Sequence, residues 1–178
     1  MAGLERVLIA GISGSGKTTL AKALEARLGL PRHELDALHH GPGWVKRPQF
    51  EADVEAFAAE PRWVTEDQYH ELLGELLSSR ADTFVWLDLP RSAVMRQVIR
   101  RSLFRAITGR ELWNGNRESF RDWLDPEHPI RWAWAQHARK RRAVPERIAA
   151  NPHLSVIRLT SPRAVRRWSA SLPPTADE

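Results

Sequence analysis

The stretch Arg-Val-Leu-Ile-Ala-Gly-Ile-Ser-Gly-Ser-Gly-Lys-Thr-Thr-Leu, residues 6–20, decides how the rest of the chain is read. Val7, Leu8, Ile9 and Ala10 form an unbroken apolar run, the pattern of a strand covered on both faces. Leu20, Ala23, Leu24 and Leu28 follow at helical spacing, and Gly29 stops the helix. Between strand and helix, Gly11, Gly16, Lys17 and Thr18 fill the pattern G-x-x-x-x-G-K-[ST], with Ser13, Gly14 and Ser15 inside it and Thr19 after it. Glycines and small serines let the backbone curl around a polyphosphate and present successive N–H groups to it. The helix N-terminus adds partial positive charge, Lys17 reaches the β- and γ-phosphates, and the Thr18 hydroxyl is placed for Mg²⁺. In a Gly/Ser linker the same residues would mean little; the flanking strand and helix make them a nucleoside triphosphate site.

Working outward, 178 residues suit one catalytic domain, here residues 1–172, with a disordered tail at 173–178. The absence of cysteine excludes disulfides and thiolate metal sites and permits a reducing compartment. Too few apolar residues precede Gly11 for a signal peptide or a membrane span, so the expectation is a cytoplasmic protein with no membrane partner. The net charge is +5, and only Lys17, Lys22, Lys46 and Lys140 among the 27 basic residues are lysines. Residues 91–147 hold 14 Arg and Lys against 6 Asp and Glu, while the rest of the chain is net acidic. Such a segment covers the phosphates of a bound nucleotide or meets a nucleic-acid backbone.

Along the chain, Pro31 opens a short extended piece, read as a second strand ending at Asp36. A carboxylate at the carboxyl end of a parallel strand beside the phosphate loop lies on the ligand-binding edge of an α/β sheet. Asp36 is thus a candidate to take a proton from an acceptor hydroxyl or to partner the Mg²⁺ water shell, with a turn or helix cap as the plainer alternative. His39 and His40 have no matching pair at ligand spacing and read as a solvated loop. Phe50, Val54, Phe57 and Ala58 predict a helix over 49–60. Residues 62–67 predict a third strand closed by Glu66 and Asp67, one of which would orient Mg²⁺, unless the pair merely caps a helix over 68–79.

Residues 83–88 predict a buried fourth strand, with Asp88 ending it and capping a helix from Pro90 to about residue 107. That helix turns Val94, Val98 and Ile99 inward and Arg96, Arg100, Arg101 and Arg105 outward. Residues 108–127 lack sustained periodicity and read as a flap within a lid at roughly 105–130, whose Arg110 and Arg117 would close over phosphate oxygens and exclude water. A helix over 129–150 with a kink at Pro145, a fifth strand over 153–159 and a last helix from Ser161-Pro162 complete the chain. The basic run 139–142 reads as a solvated helix face before it reads as a nucleic-acid arm.

Five strands alternating with helices, a phosphate loop after the first, Leu35-Asp36 with residues 41–44, Arg62-Trp63-Val64 before Tyr69, and Trp86-Leu87-Asp88-Leu89-Pro90 together resemble the nucleoside monophosphate kinase group. In detail they resemble the adenylate-kinase-like bacterial proteins labelled DNA topology modulation proteins. The resemblance implies a three-layer α/β/α fold with a five-stranded parallel sheet in the order 2-3-1-4-5, a lid after the fourth strand and an adenine pocket at 160–165. It also implies that Arg101 is aimed at phosphates. Where such proteins carry Asp-Gly-Asn-Tyr, this chain has Glu66-Asp67-Gln68-Tyr69, which lengthens or shifts the acid and removes a glycine. The expectation is an ATP- and Mg²⁺-dependent kinase of a small acceptor, monomeric or homodimeric, using Lys17, Asp36, Arg101, Arg110 and Arg117. The alternative is a nucleic-acid-associated ATP-binding regulatory protein. Neither an Asn-Lys-x-Asp element nor a Ser-Gly-Gly signature is present, which argues against a GTPase and a transporter ATPase.

Overall fold

Five parallel strands form one sheet: β1 (Arg6–Gly11), β2 (Arg32–His33), β3 (Trp63–Glu66), β4 (Thr83–Leu87) and β5 (Ser155–Leu159), in the order β2-β3-β1-β4-β5. The computed structural model describes residues 4–108 and 129–173. β1 is central because its four apolar residues are fully buried, and it pairs Val7 with Val64 of β3 and with Thr83 of β4. Strand side chains alternate between faces, so one sheet carries two apolar layers. Leu8, Ala10, Trp63, Phe84 and Trp86 face helices α2 (Leu35–His39), α3 (Phe50–Ala58), α4 (His70–Leu73), α5 (Leu76–Arg80) and α7 (Pro129–Ala150). Val7, Ile9, Val64, Val85 and Leu87 face α1 (Lys17–Leu28) and α8 (Pro162–Ser171). The fold is the α/β/α sandwich and strand order expected.

Local chemistry fixes the helix ends. Gly29 adopts φ 61° and its N–H returns to the Glu25 carbonyl at 2.9 Å, closing α1. Ser161 caps α8 by accepting the Ala164 N–H at 3.1 Å, with Pro162 in the first turn. Residues 160–165, the expected adenine-side loop, form this capped turn. Helix α6 (Arg91–Thr108) lays Val94 and Val98 against Ile12 and Leu89, seating it under the phosphate loop.

Four sequence expectations change. The second strand stops at His33, because only Arg32 and His33 find partners, on Val64 and Thr65; Leu35 then turns into the core and starts α2, so Asp36 is helical. The helix expected over 68–79 is two, broken at Gly74 with φ 52°. Ile99 is exposed and Arg101 half-buried, the reverse of the periodicity reading, because α6 presents Arg101 to the phosphate loop. Asp88 spends its carboxylate on Arg141 and Arg158.

Helix α7 crosses the carboxyl ends of the strands. His137 Nε2 lies 3.0 Å from the Leu89 carbonyl beyond β4, Arg141 holds Asp88, Val144 joins the layer with Ala10 and Trp86, and Arg147 pairs with Asp67 beyond β3. From Arg141 to Arg147 a helix rises about 9 Å, close to the two interstrand spacings of about 4.8 Å separating β4 from β3. α7 is therefore pinned on both sides of β1. Among the described residues no helix is long and apolar enough to cross a membrane.

Candidate functional site

The phosphate loop joins β1 to α1 at the carboxyl edge of the sheet. Gly14 at φ 79° and Gly16 at φ 96° adopt left-handed backbone that a side chain would strain. Space also excludes one: a Cβ on Gly14 would lie 2.0 Å from Val98 Cγ2, and one on Gly11 would lie 2.5 Å from Ser15 Oγ. The Ser15 hydroxyl is itself buried and has no hydrogen-bond partner among the described residues, which suits it to a ligand oxygen. Ser13 Oγ accepts from Arg101 Nη2 at 3.4 Å, which brings the α6 arginine onto the loop. Thr18 and Thr19 are exposed on the first turn of α1.

Lys17, only 7% exposed, extends its Nζ to 3.7 Å from Glu66 Oε2, and the Thr18 hydroxyl donates to Glu66 Oε1 at 2.6 Å. β3 neighbours β1 in register, with Glu66 opposite Ile9, so the strand end delivers the carboxylate to the loop. Asp67 goes elsewhere: its backbone N–H donates to the Ile9 carbonyl at 2.8 Å and its carboxylate pairs with Arg147. Burial pushes the Asp67 carboxyl up, against the pull of Arg147. Thus the two adjacent acids part, Glu66 to the phosphate loop and Asp67 to α7. Among the described residues no cluster of three or more His, Asp or Glu could hold a metal by itself.

Asp36 sits half-buried on α2. The Tyr69 hydroxyl donates to Asp36 Oδ1 at 2.7 Å and lies 3.0 Å from His40 Nε2, while Gln68 Nε2 is 3.5 Å from Asp36 Oδ2. Burial, then the adjacent Asp36 carboxylate, push the Tyr69 phenol far above its ordinary range, so it remains a donor. His39 stacks on the Tyr69 ring at 4.3 Å, and burial, then His40, hold it below the usual imidazole range. The two histidines are therefore packed, half-buried side chains rather than a solvated loop, because α2 turns them under Tyr69. Spacing missed Tyr69, His40 and Arg147 alike. The signal available was Tyr69, the chain's single tyrosine, directly after the strand-ending acids. Arg110 and Arg117, with most of the lid expected at 105–130, lie outside the described residues.

With this geometry the chain is similar in shape to solved kinases. Shikimate kinase from Acinetobacter baumannii, in complex with shikimate, matches with a TM-score of 0.53 at 14% identity, over 94% of this chain and 89% of that one. A sugar kinase from a Janibacter species, unliganded, matches with a TM-score of 0.44 at 18% identity over 94% of each chain. A gluconokinase from Sinorhizobium meliloti gives 0.43 at 15% identity over 95% of each. No family model matches the chain, and no curated protein matches it. At 14% identity the likeness to shikimate kinase defines the fold alone, that of a phosphate-loop kinase.

Proposed function

We propose that the chain is an ATP- and Mg²⁺-dependent phosphotransferase, adenylate-kinase-like in layout, that moves a γ-phosphoryl group to the hydroxyl of a small acceptor. The observation that carries this is Glu66, which meets the Thr18 hydroxyl at 2.6 Å and the Lys17 ammonium at 3.7 Å at the mouth of a phosphate loop. A hydroxyl and a carboxylate are hard oxygen donors of the kind Mg²⁺ takes, and the unpartnered Ser15 hydroxyl suits a phosphate oxygen. Bound Mg²⁺ supplies neutralisation of the phosphate oxygens as charge shifts during transfer. Lys17 and the loop amides hold the triphosphate, and Arg101, which rests on Ser13 of the loop, adds a second positive charge beside it. Asp36, fixed by Tyr69, orients and deprotonates the acceptor hydroxyl. Arg110 and Arg117 remain candidates for charge stabilisation, and the cytoplasm is the compartment that the composition supports. The likeness to DNA topology modulation proteins rests on the sequence motifs quoted above.

Of the two acids, we assign Glu66 to the metal side. Glu66→Gln should raise the Mg²⁺ concentration for half-maximal ADP release about 10–100-fold. Asp67→Asn should leave that Mg²⁺ dependence in place, since Asp67 serves α7. The reverse pattern, with Asp67→Asn alone shifting the Mg²⁺ titration, contradicts the assignment.

The nucleic-acid reading has less behind it. Arg141, inside the basic run 139–142, is spent on Asp88. That reading predicts DNA or RNA binding that weakens steeply with salt.

A further inference from the structure

Among the described residues, two that are not glycine have a left-handed backbone: Trp44 at φ 63° and Tyr69 at φ 55°. They belong to different segments and meet around one imidazole. The His40 ring lies edge-on to Trp44 at 5.3 Å, and its Nε2 is 3.0 Å from the Tyr69 hydroxyl that holds Asp36. Left-handed backbone costs such a residue about 1–3 kcal/mol and persists only where the surroundings over-determine it, most often at functional sites. Core packing does not account for it at Trp44, a residue that remains 44% exposed. His39, stacked on Tyr69, extends the aromatic wall, and burial holds its imidazole below the usual range.

Among the described residues, the basic side chains of the segment that builds this wall are already committed. Every Arg and Lys between residues 30 and 80 is held by a carboxylate: Arg32 by Glu25 and Glu34, Lys46 by Glu51, Arg47 by Asp53, Arg62 by Glu5 and Arg80 by Glu55. A phosphate or carboxylate placed beside Asp36 would face a like charge and an aromatic wall. An uncharged ring meets neither cost: its apolar face suits an indole, and its hydroxyls suit Asp36.

Resting on the phosphotransferase reading, we propose that the acceptor is an uncharged, hydroxyl-bearing ring compound, laid against Trp44 with one hydroxyl directed at Asp36. Free sugars and the ribose of a nucleoside share that chemistry. Trp44 is then the residue that sets acceptor specificity.

The test is ADP release from MgATP with matched pairs, glucose against gluconate and adenosine against AMP. In whichever pair is accepted, the uncharged member should have a kcat/KM at least about tenfold higher, and the pair that responds tells sugar from nucleoside. Trp44→Ala should raise the KM for that acceptor about tenfold, with Trp44→Phe restoring most of it. Preference for gluconate or AMP, or an unchanged KM in Trp44→Ala, overturns this inference and leaves the phosphotransferase reading standing. ADP release that no member raises above the acceptor-free rate overturns both.

Discussion

Lys17→Ala is expected to lower MgATP turnover by about a thousandfold or more, with the fold retained. The ammonium is the one side-chain cation that the loop itself supplies, and it is pre-aimed: 7% exposed, 3.7 Å from Glu66, at the first residue of α1. Charge that develops on the transferred phosphoryl group in a site with little water is stabilised by groups already in place, so removing one costs most in the transition state. Alanine is a strong helix former, and the Gly16 turn ahead of it is set by backbone rather than by the lysine side chain. Loss of turnover with an unchanged circular dichroism spectrum and melting within a few degrees is the expected pair of results. Retained ADP release in Lys17→Ala would remove the phosphate loop from the chemistry.

The largest expected effect on stability belongs to the double substitution Arg141→Ala with Arg158→Ala. The Asp88 side chain is 1% exposed, and both of its oxygens are taken by the two guanidinium groups, Arg141 at 2.5 and 3.1 Å and Arg158 at 3.0 and 2.5 Å. Arg158 also lies over the Trp86 ring at 4.7 Å. With both arginines gone, a carboxylate stays buried without compensation, and unfolding free energy at pH 7 should fall by about 3–5 kcal/mol. Asp88→Ala should cost less, because both guanidinium heads are half-exposed and can return to water.

The pH dependence of the pair follows from sign. In the wild type, burial opposes ionisation of Asp88 but the hydrogen bonds from Arg141 and Arg158 outweigh it, so its carboxyl lies below the usual range. A depressed folded pKa adds stability above the unfolded value, about 3.9, and that contribution is lost only as the pH falls through the folded value. In the double variant burial acts alone and raises the folded pKa, so the deficit is greatest at neutral pH and shrinks as the pH falls through the raised value. Urea unfolding at pH 7 and pH 5 reads both effects. A deficit under about 1 kcal/mol, or one that does not change with pH, would show that the cluster does not hold α7.

How much of this was legible in the sequence depends on where the determinants lie. β1, the phosphate loop and α1 could be read because apolar run, glycines and helical spacing are contiguous. β4 and α8 were legible for the same reason, the latter through Ser161-Pro162. The end of β2 was not, since a two-residue edge strand has no periodicity and the helical pair Leu35 and Leu38 overlaps the extended reading. The break at Gly74 was hidden by Leu73, Leu76 and Leu77, which continue a helical pattern across it. The pairings were the least legible. Asp88 finds Arg141 and Arg158 at separations of 53 and 70 residues, and Asp36 finds Tyr69 at 33. Among 27 basic residues nothing local marks which two belong to Asp88. The split between Glu66 and Asp67 likewise depends on Arg147, which only the path of α7 across the strand ends brings within reach.

The role proposed for this phosphate loop is transfer to an acceptor rather than nucleotide binding alone. ³¹P NMR of MgATP with the wild-type protein and the acceptor pairs above tests it most directly, because it follows the γ-phosphorus itself. Transfer requires a phosphomonoester resonance growing in step with ADP for at least one acceptor and absent without protein. ATP that persists with every acceptor, or that yields only ADP and inorganic phosphate, would contradict it.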